Sequence, residues 1–562
     1  MLLAAGIVMA YAESVTVNGV TWYYITNTDG DKTCTITHQG STTTEGSSYY
    51  NTYTATSYEI PTTLNGYTVT QLGANAFRGC KNIQSVTFAS GTAVKVIGNN
   101  CFRDCSALIK IELPTTVTKL GDRAFSQTHK MPTFTVPASV TEMAQNPFDG
   151  MKELREIVLA EGNTAFKIID GVLYDKDVKR LIQMPARCGM KHFKMPSTVT
   201  IVEHSSIQYN ATLLSVTASE NLTALNSYFV EKSYRLRWID LTPCKSLTIE
   251  NLTRVSGSGT IPFYGAPTHA LVYLPSTCTL TADNCINTNA TPYTCAKLVL
   301  VDKACDNAGK NLNDTMNVNA PYYGFEVPYE FTATEGTLTR SLALTAGQKT
   351  MVCLPFALTA DEATALGKFY AFNTIDTKSS TMKLTATTNG TKAYVPYVIE
   401  PTGTAITFSN KTISKTPTSL HANHEGADYE ENIEDGLVGT FITEGVASGS
   451  AESFYAYAGA SEGSGDEAVS AGQFVRLTKT AFTRPFRGYL RVASSESSAN
   501  RAITAYFYDI DGDLETTGLL NVETGDVEPV SADWYTMNGV RLSGRPSAKG
   551  IYVNNGKKYV VK

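Results

Sequence analysis

The sequence predicts a mainly β protein: a repeat solenoid with a parallel sheet, then an antiparallel β-sandwich, then a small β tail at the C-terminus. Three observations predict it. One apolar template recurs through the N-terminal half, on anchors spaced 25, 23 and 23 residues apart. Short alternating strands separated by turn residues fill the region from 325 to 500. Charged residues make up 17%, against about 25% in ordinary soluble domains, while Thr, Ser, Asn, Gly and Tyr are plentiful. That balance suits strands and turns rather than helical bundles. At 562 residues the chain is too long for one core, so several domains are expected. A net charge of −6 with no basic cluster leaves no electrostatic footprint for nucleic acid.

The first element, residues 1–12, is a short apolar run ending in Ala10-Tyr11-Ala12. Small residues at those spacings fit the cleft of a signal peptidase, so cleavage before Glu13 and export to the cell surface or beyond are expected. Elsewhere no run reaches the 18 apolar residues that a membrane span requires. Residues 13–59 are read as an N-terminal β cap. The eleven cysteines are odd in number and show no regular framework, which favours buried thiols acting as small apolar fillers.

The solenoid, residues 60–310, rests on the anchors Phe77, Phe102, Phe125 and Phe148. Nine residues after them stand Val86, Ile111, Phe134 and Ile157, and eleven after stand Phe88, Leu113, Val136 and Leu159. Five before them stand Leu72, Ile97, Leu120 and Met143. The frame resumes at Ile207 and Val230, with Leu213, Val216, Leu236, Ile239 and Leu241 in the matching places. A single rung cannot hide its apolar face, whereas a stack can. Each buried side chain contributes roughly 1.5–3 kcal/mol before chain entropy is subtracted. Positions nine and eleven are two apart, so that segment is a strand with both side chains inward, and stacking lays such strands into a parallel sheet.

The stretch Ile60 to Ile83, I-P-x-x-L-N-G-Y-x-V-x-x-L-G-x-N-A-F-x-x-C-x-x-I, resembles the BspA-type leucine-rich repeat of Bacteroidetes surface proteins. Leu113 to Gly121, with the Ala124-Phe125 that follows, resembles it too. Asp170-Gly171-Val172-Leu173-Tyr174 matches a hairpin that interrupts the repeats in that family, here near 168–186. After Cys244 the rungs decay, with Val272-Tyr273-Leu274 and Leu298-Val299-Leu300 as irregular last rungs or a cap. Cys80 and Cys105 both lie three after their anchors, so they stack in adjacent rungs as a buried thiol ladder or a rung-to-rung disulfide.

Beyond a polar linker, residues 325–500 read as a β-sandwich, clearest at Thr350–Phe356, Tyr394–Ile399, Gly439–Phe441 and Pro485–Leu490. A linker at 501–530 and a β tail at 531–562 follow. The tail, with Lys549-Gly550-Ile551-Tyr552 and Asn555-Gly556-Lys557-Lys558, resembles the C-terminal tails of exported Bacteroidetes proteins, some of which are sorting signals. A plain hairpin turning at Asn555-Gly556 accounts for the same residues.

No motif proposes catalysis or a cofactor: there is no G-x-S-x-G, P-loop or H-E-x-x-H. His421 and His424 sit among turn residues rather than on a helix that would aim both rings at a metal. Asp509-Ile510-Asp511-Gly512-Asp513 has alternate acidic oxygens but misplaces the glycine of a calcium loop. The expectation is therefore a non-enzymatic protein without a metal or cofactor. Strand residues between the buried positions point outward and should align in two columns on one face. The candidates are Lys110, Thr133, Glu156 and Trp238 in one column, and Glu112, Thr135, Val158, Thr217 and Asp240 in the other. Hydroxyls, charges and one large aromatic suit contact with a protein or glycan, with Trp238 as anchor. The resemblance implies adhesion: binding of host extracellular proteins or glycans, or of another bacterial surface component. Two other readings remain open, a display module of the cell envelope and a polysaccharide-handling protein or enzyme with its site in 325–500.

Overall fold

The computed structural model describes residues 12–39 except 29, residues 52–247 and, with gaps, residues 254–275, 298–313, 324–417 and 421–561. Of the apolar leader, residues 1–12, all but Ala12 lie outside the described residues. Two compact units divide the chain, Met1–Gly336 and Thr337–Lys562.

In the first unit the rungs from Tyr67 to Asp240 supply two strands each rather than one. The expected series starts at Ser57–Ile60, earlier than residue 60, and runs through Ser85–Phe88 and Lys110–Ile111 in one parallel sheet. Thr133–Val136 and Glu156–Leu159 form the next parallel pair. His192–Lys194, Ser215–Thr217, Trp238–Asp240, Leu271–Leu274 and Leu298–Val301 continue the series as a further parallel run. The decaying rungs are therefore still rungs. The second series is built on the apolar position five before each anchor: Tyr67–Leu72, Val96–Ile97, Lys119–Leu120 and Glu142–Met143 pair in parallel. Most of these strands are two residues long, too short to show an alternation in sequence.

Between the two series the chain turns around the anchor. Phe77, Phe102, Phe125 and Phe148 are fully buried and stack ring on ring, at 5.0, 5.5 and 6.5 Å between centroids and within 15° of parallel. Stacking of this kind adds about 0.5–1.5 kcal/mol per pair beyond burial. The turn needs a left-handed residue two before and two after each anchor. Asn75, Asn100 and Asn146 take the first place at φ of 58°, 53° and 54°, and asparagine tolerates that region better than other side chains. Gly79 and Gly150 take the second at 74° and 72°.

The hairpin divides the core. Phe166–Ile169, Val172–Asp175 and Arg180–Gln183 pair antiparallel, and Arg180–Gln183 then starts a parallel run with Ile201–Val202 and Ala224–Leu225. Leu173 and Ile182 pack into the core that holds the four phenylalanine anchors. Val172, Tyr174 and Leu181 pack into a second core with Ile207, Val230 and Phe263. Strand side chains alternate between faces, so one hairpin can wedge between two stacks and serve both. It also carries a rung missing from the sequence frame: Met184 is its buried anchor, with Phe193 nine and Met195 eleven residues later.

At the N-terminus, Glu13–Val17, Val20–Thr26 and Thr33–Thr37 form an antiparallel meander. Its last strand pairs in parallel with Tyr67–Leu72 and so covers the edge of the second sheet. Buried Trp22 packs against Tyr53, Tyr58 and Phe77, closing the end of the aromatic stack. Cys80 and Cys105 are unlinked and buried, and the Cys105 thiol donates to the Phe77 carbonyl at 3.1 Å. Burial pushes the Cys80 thiol up to about 11, so it behaves as a filler rather than a nucleophile.

The largest sheet of the second unit has ten strands, antiparallel except where Thr381–Ala386 runs parallel to Ala502–Tyr508. The four segments singled out from sequence lie in or beside Thr350–Cys353, Pro396–Pro401, Asp435–Thr440 and Arg487–Val492. The first and last parts of the sheet meet, and Cys353 N–H donates to the Phe486 carbonyl at 3.2 Å. A Cβ on Gly439 would stand 2.5 Å from Cys353 Sγ, and one on Gly488 would stand 2.7 Å from Met351 Cε. The start of the expected 501–530 linker is instead a central strand of this sheet. Ala502–Tyr508 alternates, with Ile503, Ala505 and Phe507 buried. Asp511 N–H donates to Asp509 Oδ1 at 3.0 Å, while Ile510, Gly512 and Asp513 lie outside the described residues. The tail strands Trp534–Thr536, Arg541–Leu542, Gly550–Asn554 and Lys557–Val561 form a small antiparallel sheet, and the Asn555-Gly556 turn lies outside the described residues.

Candidate binding surface

Parts of the expected columns fall in register within three separate ladders, and among the described residues no strand pairing joins Lys110 to Thr133 or Glu156 to the later rungs. Ser57, Ser85 and Lys110 are neighbours across three strands, as are Thr133 and Glu156, and Thr135 and Val158. Beneath them Val86, Ile111, Phe134 and Ile157 are buried, so the strands offer an apolar side to the core and a polar side outward. Lys110, Glu112, Thr133, Thr135 and Glu156 are exposed, and Val158 is half-buried. Lys110 and Glu112 pair at 2.5 Å but remain 71% and 74% exposed, so solvent screens the pair and a partner can displace it.

The face changes character toward the C-terminal rungs. Ser215 and Asp240 are buried, and Thr217 and Trp238 are half-buried. The segment after residue 324 crosses this end. Arg237 pairs with Glu326 at 2.5 Å, and Tyr273 donates to the Tyr329 carbonyl at 3.0 Å. Asp240 accepts from the Thr242 hydroxyl at 2.6 Å and from the Thr242 N–H at 2.9 Å. Asp240 therefore is not a presented side chain, and Trp238 is not a free-standing anchor. Its Nε1 is buried without a hydrogen-bond partner among the described residues. The physical reason is tertiary: a later segment folds over strand residues that the repeat alone would leave in water.

Four members of the face escaped the sequence frame. Ser57 and Glu59 belong to a rung before the first recognised anchor, and His192 and Lys194 to the rung of Met184. All four are exposed. The signal for the latter pair was available, since Phe193 and Met195 stand nine and eleven residues after Met184.

Chemistry elsewhere is sparse. No cluster of three or more His, Cys, Asp or Glu side chains suited to a metal occurs among the described residues. His421 lies on a two-residue strand, His421–Ala422, paired with Asp435–Thr440, and His424 lies outside the described residues. In the second unit Lys349 pairs with Glu400 at 2.6 Å and stands 4.9 Å from the Phe507 ring centre, contacts that account for its burial.

Residues 42–171 and 186–254 match the family model of the BspA-type leucine-rich repeat region, in six copies. These residues form BspA-type leucine-rich repeats. The interval between the two matched segments of this BspA-type region holds both strands of the wedge hairpin, Val172–Asp175 and Arg180–Gln183. Among solved structures, the pneumococcal vaccine antigen PcpA is 17% identical, with a TM-score of 0.35 over 55% of this chain and 89% of that one. A leucine-rich cell surface protein from Faecalibacterium prausnitzii is 20% identical, with a TM-score of 0.29 over 52% and 95%. A leucine-rich repeat protein from Eubacterium ventriosum is 18% identical, with a TM-score of 0.32 over 54% and 91%. No curated protein matches the chain. Among the described residues no helix is long and apolar enough to cross a membrane.

Proposed function

We propose that the chain is an exported, non-enzymatic binding protein of adhesin type. Its exposed sheet face would engage a host extracellular protein or glycan, or a component of another bacterial surface. One observation carries this reading: polar side chains stand in register across successive rungs, directly above a fully buried apolar layer. A rigid, repeating array of this kind presents many weak contacts whose geometry is set in advance, which lowers the entropy lost on binding. The relevant patch is Glu59, Thr87, Lys110, Glu112, Thr133 and Thr135, all exposed, rather than the covered Trp238 and Asp240.

The test is a binding screen of the full-length chain against host matrix proteins and a glycan array, repeated with Lys110→Ala/Glu112→Ala/Thr135→Ala. These side chains are exposed, so the variant should fold normally. Loss of about tenfold or more in affinity for whatever the wild type binds is the expected result. Equal binding by the variant would reassign the contact away from this face.

A further inference from the structure

A second site arises where the hairpin interrupts the stack. Along the anchor turns, backbone N–H groups two before, at and two after each anchor donate to the next turn. Arg123, Phe125 and Gln127 donate to the Gln145, Pro147 and Asp149 carbonyls, and Ser205, Ile207 and Tyr209 donate to those of Ser227, Phe229 and Glu231. The rung of Met184 makes the central one of these bonds, Met184 N–H to the Ser206 carbonyl at 2.8 Å, but has no left-handed residue two before or two after its anchor, because Met184 follows directly on the strand Arg180–Gln183 and is followed by Pro185. A cleft of about 430 Å³ opens there, between the turns before the hairpin and those after it. Such a volume is the size of a small-ligand site.

One wall carries Arg103, Arg123 and Asp149, and the other carries Gln208, Tyr228 and Glu231. Gln208 and Glu231 are only 7% and 8% exposed. Gln208 Nε2 donates to Glu231 Oε2, and Lys232 Nζ neutralises Glu231 at 2.9 Å. This leaves two buried acceptors without a hydrogen-bond partner among the described residues, Gln208 Oε1 and Asp149 Oδ1. Buried acceptors are seldom left unpaired, and two in one cleft are open to donors from water or from a ligand that displaces it. Arg123 Nη1 donates to Asp122 at 3.3 Å, and Arg103 donates from Nη1 to Asn100 at 3.3 Å with its Nε 3.7 Å from Asp104 Oδ2, contacts that position both guanidinium groups. The Tyr228 ring, 5.0 Å from that of His204, adds a flat apolar surface.

We propose that this cleft is a saccharide subsite for one uronate-type unit. The carboxylate pairs with Arg103 and Arg123, ring hydroxyls donate to Asp149 Oδ1 and Gln208 Oε1, and the sugar face lies on Tyr228. Guanidinium suits a carboxylate because its planar donors match two oxygens at once. Hydroxyls rather than an ammonium meet the acceptors, since Glu231 already holds Lys232 and Asp149 lies in the field of Arg123 and Arg103. The backbone is consistent with a selected site: Arg123 and Tyr228 sit at φ of 50° and 60°, in the turn position that other rungs give to asparagine. This site does not depend on the sheet-face reading.

The experiment titrates the full-length chain with a tetrasaccharide of alternating glucuronate and N-acetylglucosamine, by calorimetry and saturation-transfer NMR. Cellotetraose and a zwitterionic dipeptide are the comparison ligands. Arg123→Asn and Tyr228→Asn install the residue that Asn75, Asn100 and Asn146 already hold, so both variants should fold, as urea midpoints would verify. The expected result is saturable uronate binding, at least about tenfold tighter than cellotetraose and weakened about tenfold by each substitution. The sheet-face variant Lys110→Ala/Glu112→Ala/Thr135→Ala should bind the uronate as wild type does. Absence of saturable uronate binding, equal binding of cellotetraose, tighter binding of the dipeptide, or retention by both asparagine variants would each overturn the proposal.

Discussion

The wedge hairpin makes an unusually direct prediction, because one substitution at two nearby positions should damage different halves of the solenoid. Leu173 and Leu181 are both fully buried, on adjacent hairpin strands. Leu173 packs in the core of the phenylalanine anchors, and Leu181 packs in the core of Ile207 and Val230. Truncating a fully buried leucine to alanine costs about 2–5 kcal/mol, the spread reflecting how far the cavity collapses. Leu173 is held from across the ladder by Ile168 and Leu181 by Tyr174, so neither site can close freely and the middle of that range, about 3 kcal/mol, is expected. Urea unfolding gives the loss for each variant. Hydrogen exchange read by mass spectrometry gives its location, since in a stacked array a weakened rung opens with its neighbours first. Leu173→Ala should speed exchange in the strands from Ser85–Phe88 to Glu156–Leu159, and Leu181→Ala in those from His192–Lys194 to Trp238–Asp240. If both variants loosened the same half, or if each lost less than about 1 kcal/mol, the two-core account of the hairpin would be wrong.

Three further outcomes follow from single residues. The Tyr174 hydroxyl is buried with no hydrogen-bond partner among the described residues, so Tyr174→Phe should leave stability unchanged or raise it by about 1 kcal/mol in urea melts; a clear loss would reveal a bond to that hydroxyl. A Cβ on Gly121 would stand 2.5 Å from the Asn99 backbone nitrogen and 2.6 Å from the Gly98 carbonyl carbon, so Gly121→Ala should cost about 1–3 kcal/mol, and a neutral melt would show that the rungs can separate there. Glu203 is 4% exposed, and burial raises its carboxyl group's pKa despite Arg180 at 3.3 Å. The folded state therefore binds that proton more tightly than the unfolded one, and the resulting stability, present at low pH, is lost as pH rises through the folded pKa. Glu203→Gln should abolish this decline, so its urea midpoint relative to wild type should rise as pH increases above the ordinary carboxylate range; a constant difference would count against the assignment.

The parts of the fold legible in sequence are those where one physical cause acts alone. The anchors and the strand positions nine and eleven residues later face a core in every rung, so their pattern survives as strict apolar recurrence. The second sheet was hidden because its strands contribute one buried residue each, as Leu120 and Met143 do, and two residues carry no period. The rung of Met184 was hidden because the hairpin lengthens it and so breaks the spacing on which the frame depends. Ala502–Tyr508 was legible and overlooked: Ile503, Ala505 and Phe507 alternate with residues that are only half-buried. On the candidate face, Lys110 to Glu156 follow from local pattern, since nothing described covers them. Asp240 does not, because its burial is decided by contacts with residues far along the chain, such as those made by Tyr273 and Arg237. The cleft was invisible for the same reason, since Arg123 and Glu231 stand more than a hundred residues apart and meet only because the intervening rung omits its turn.

That omission links the stability and binding arguments. An uninterrupted stack would satisfy every turn with its successor and would leave no room for a ligand at this edge. Inserting a two-faced hairpin gives each of the two cores a buried leucine, Leu173 on one side and Leu181 on the other, while the left-handed anchor turn is omitted. The polar atoms that a continuous ladder would have buried against neighbours are then left at a gap, flanked by two guanidinium groups and an aromatic ring. Removing the hairpin's strands should therefore do more than destabilise the fold. A chain with Asp170–Gln183 replaced by one regular turn and strand of the neighbouring rungs should stack without a break and lose uronate binding, while the sheet face retains its own ligand. Loss of both activities in such a chain, with the fold intact by hydrogen exchange, would mean that the two surfaces are one site.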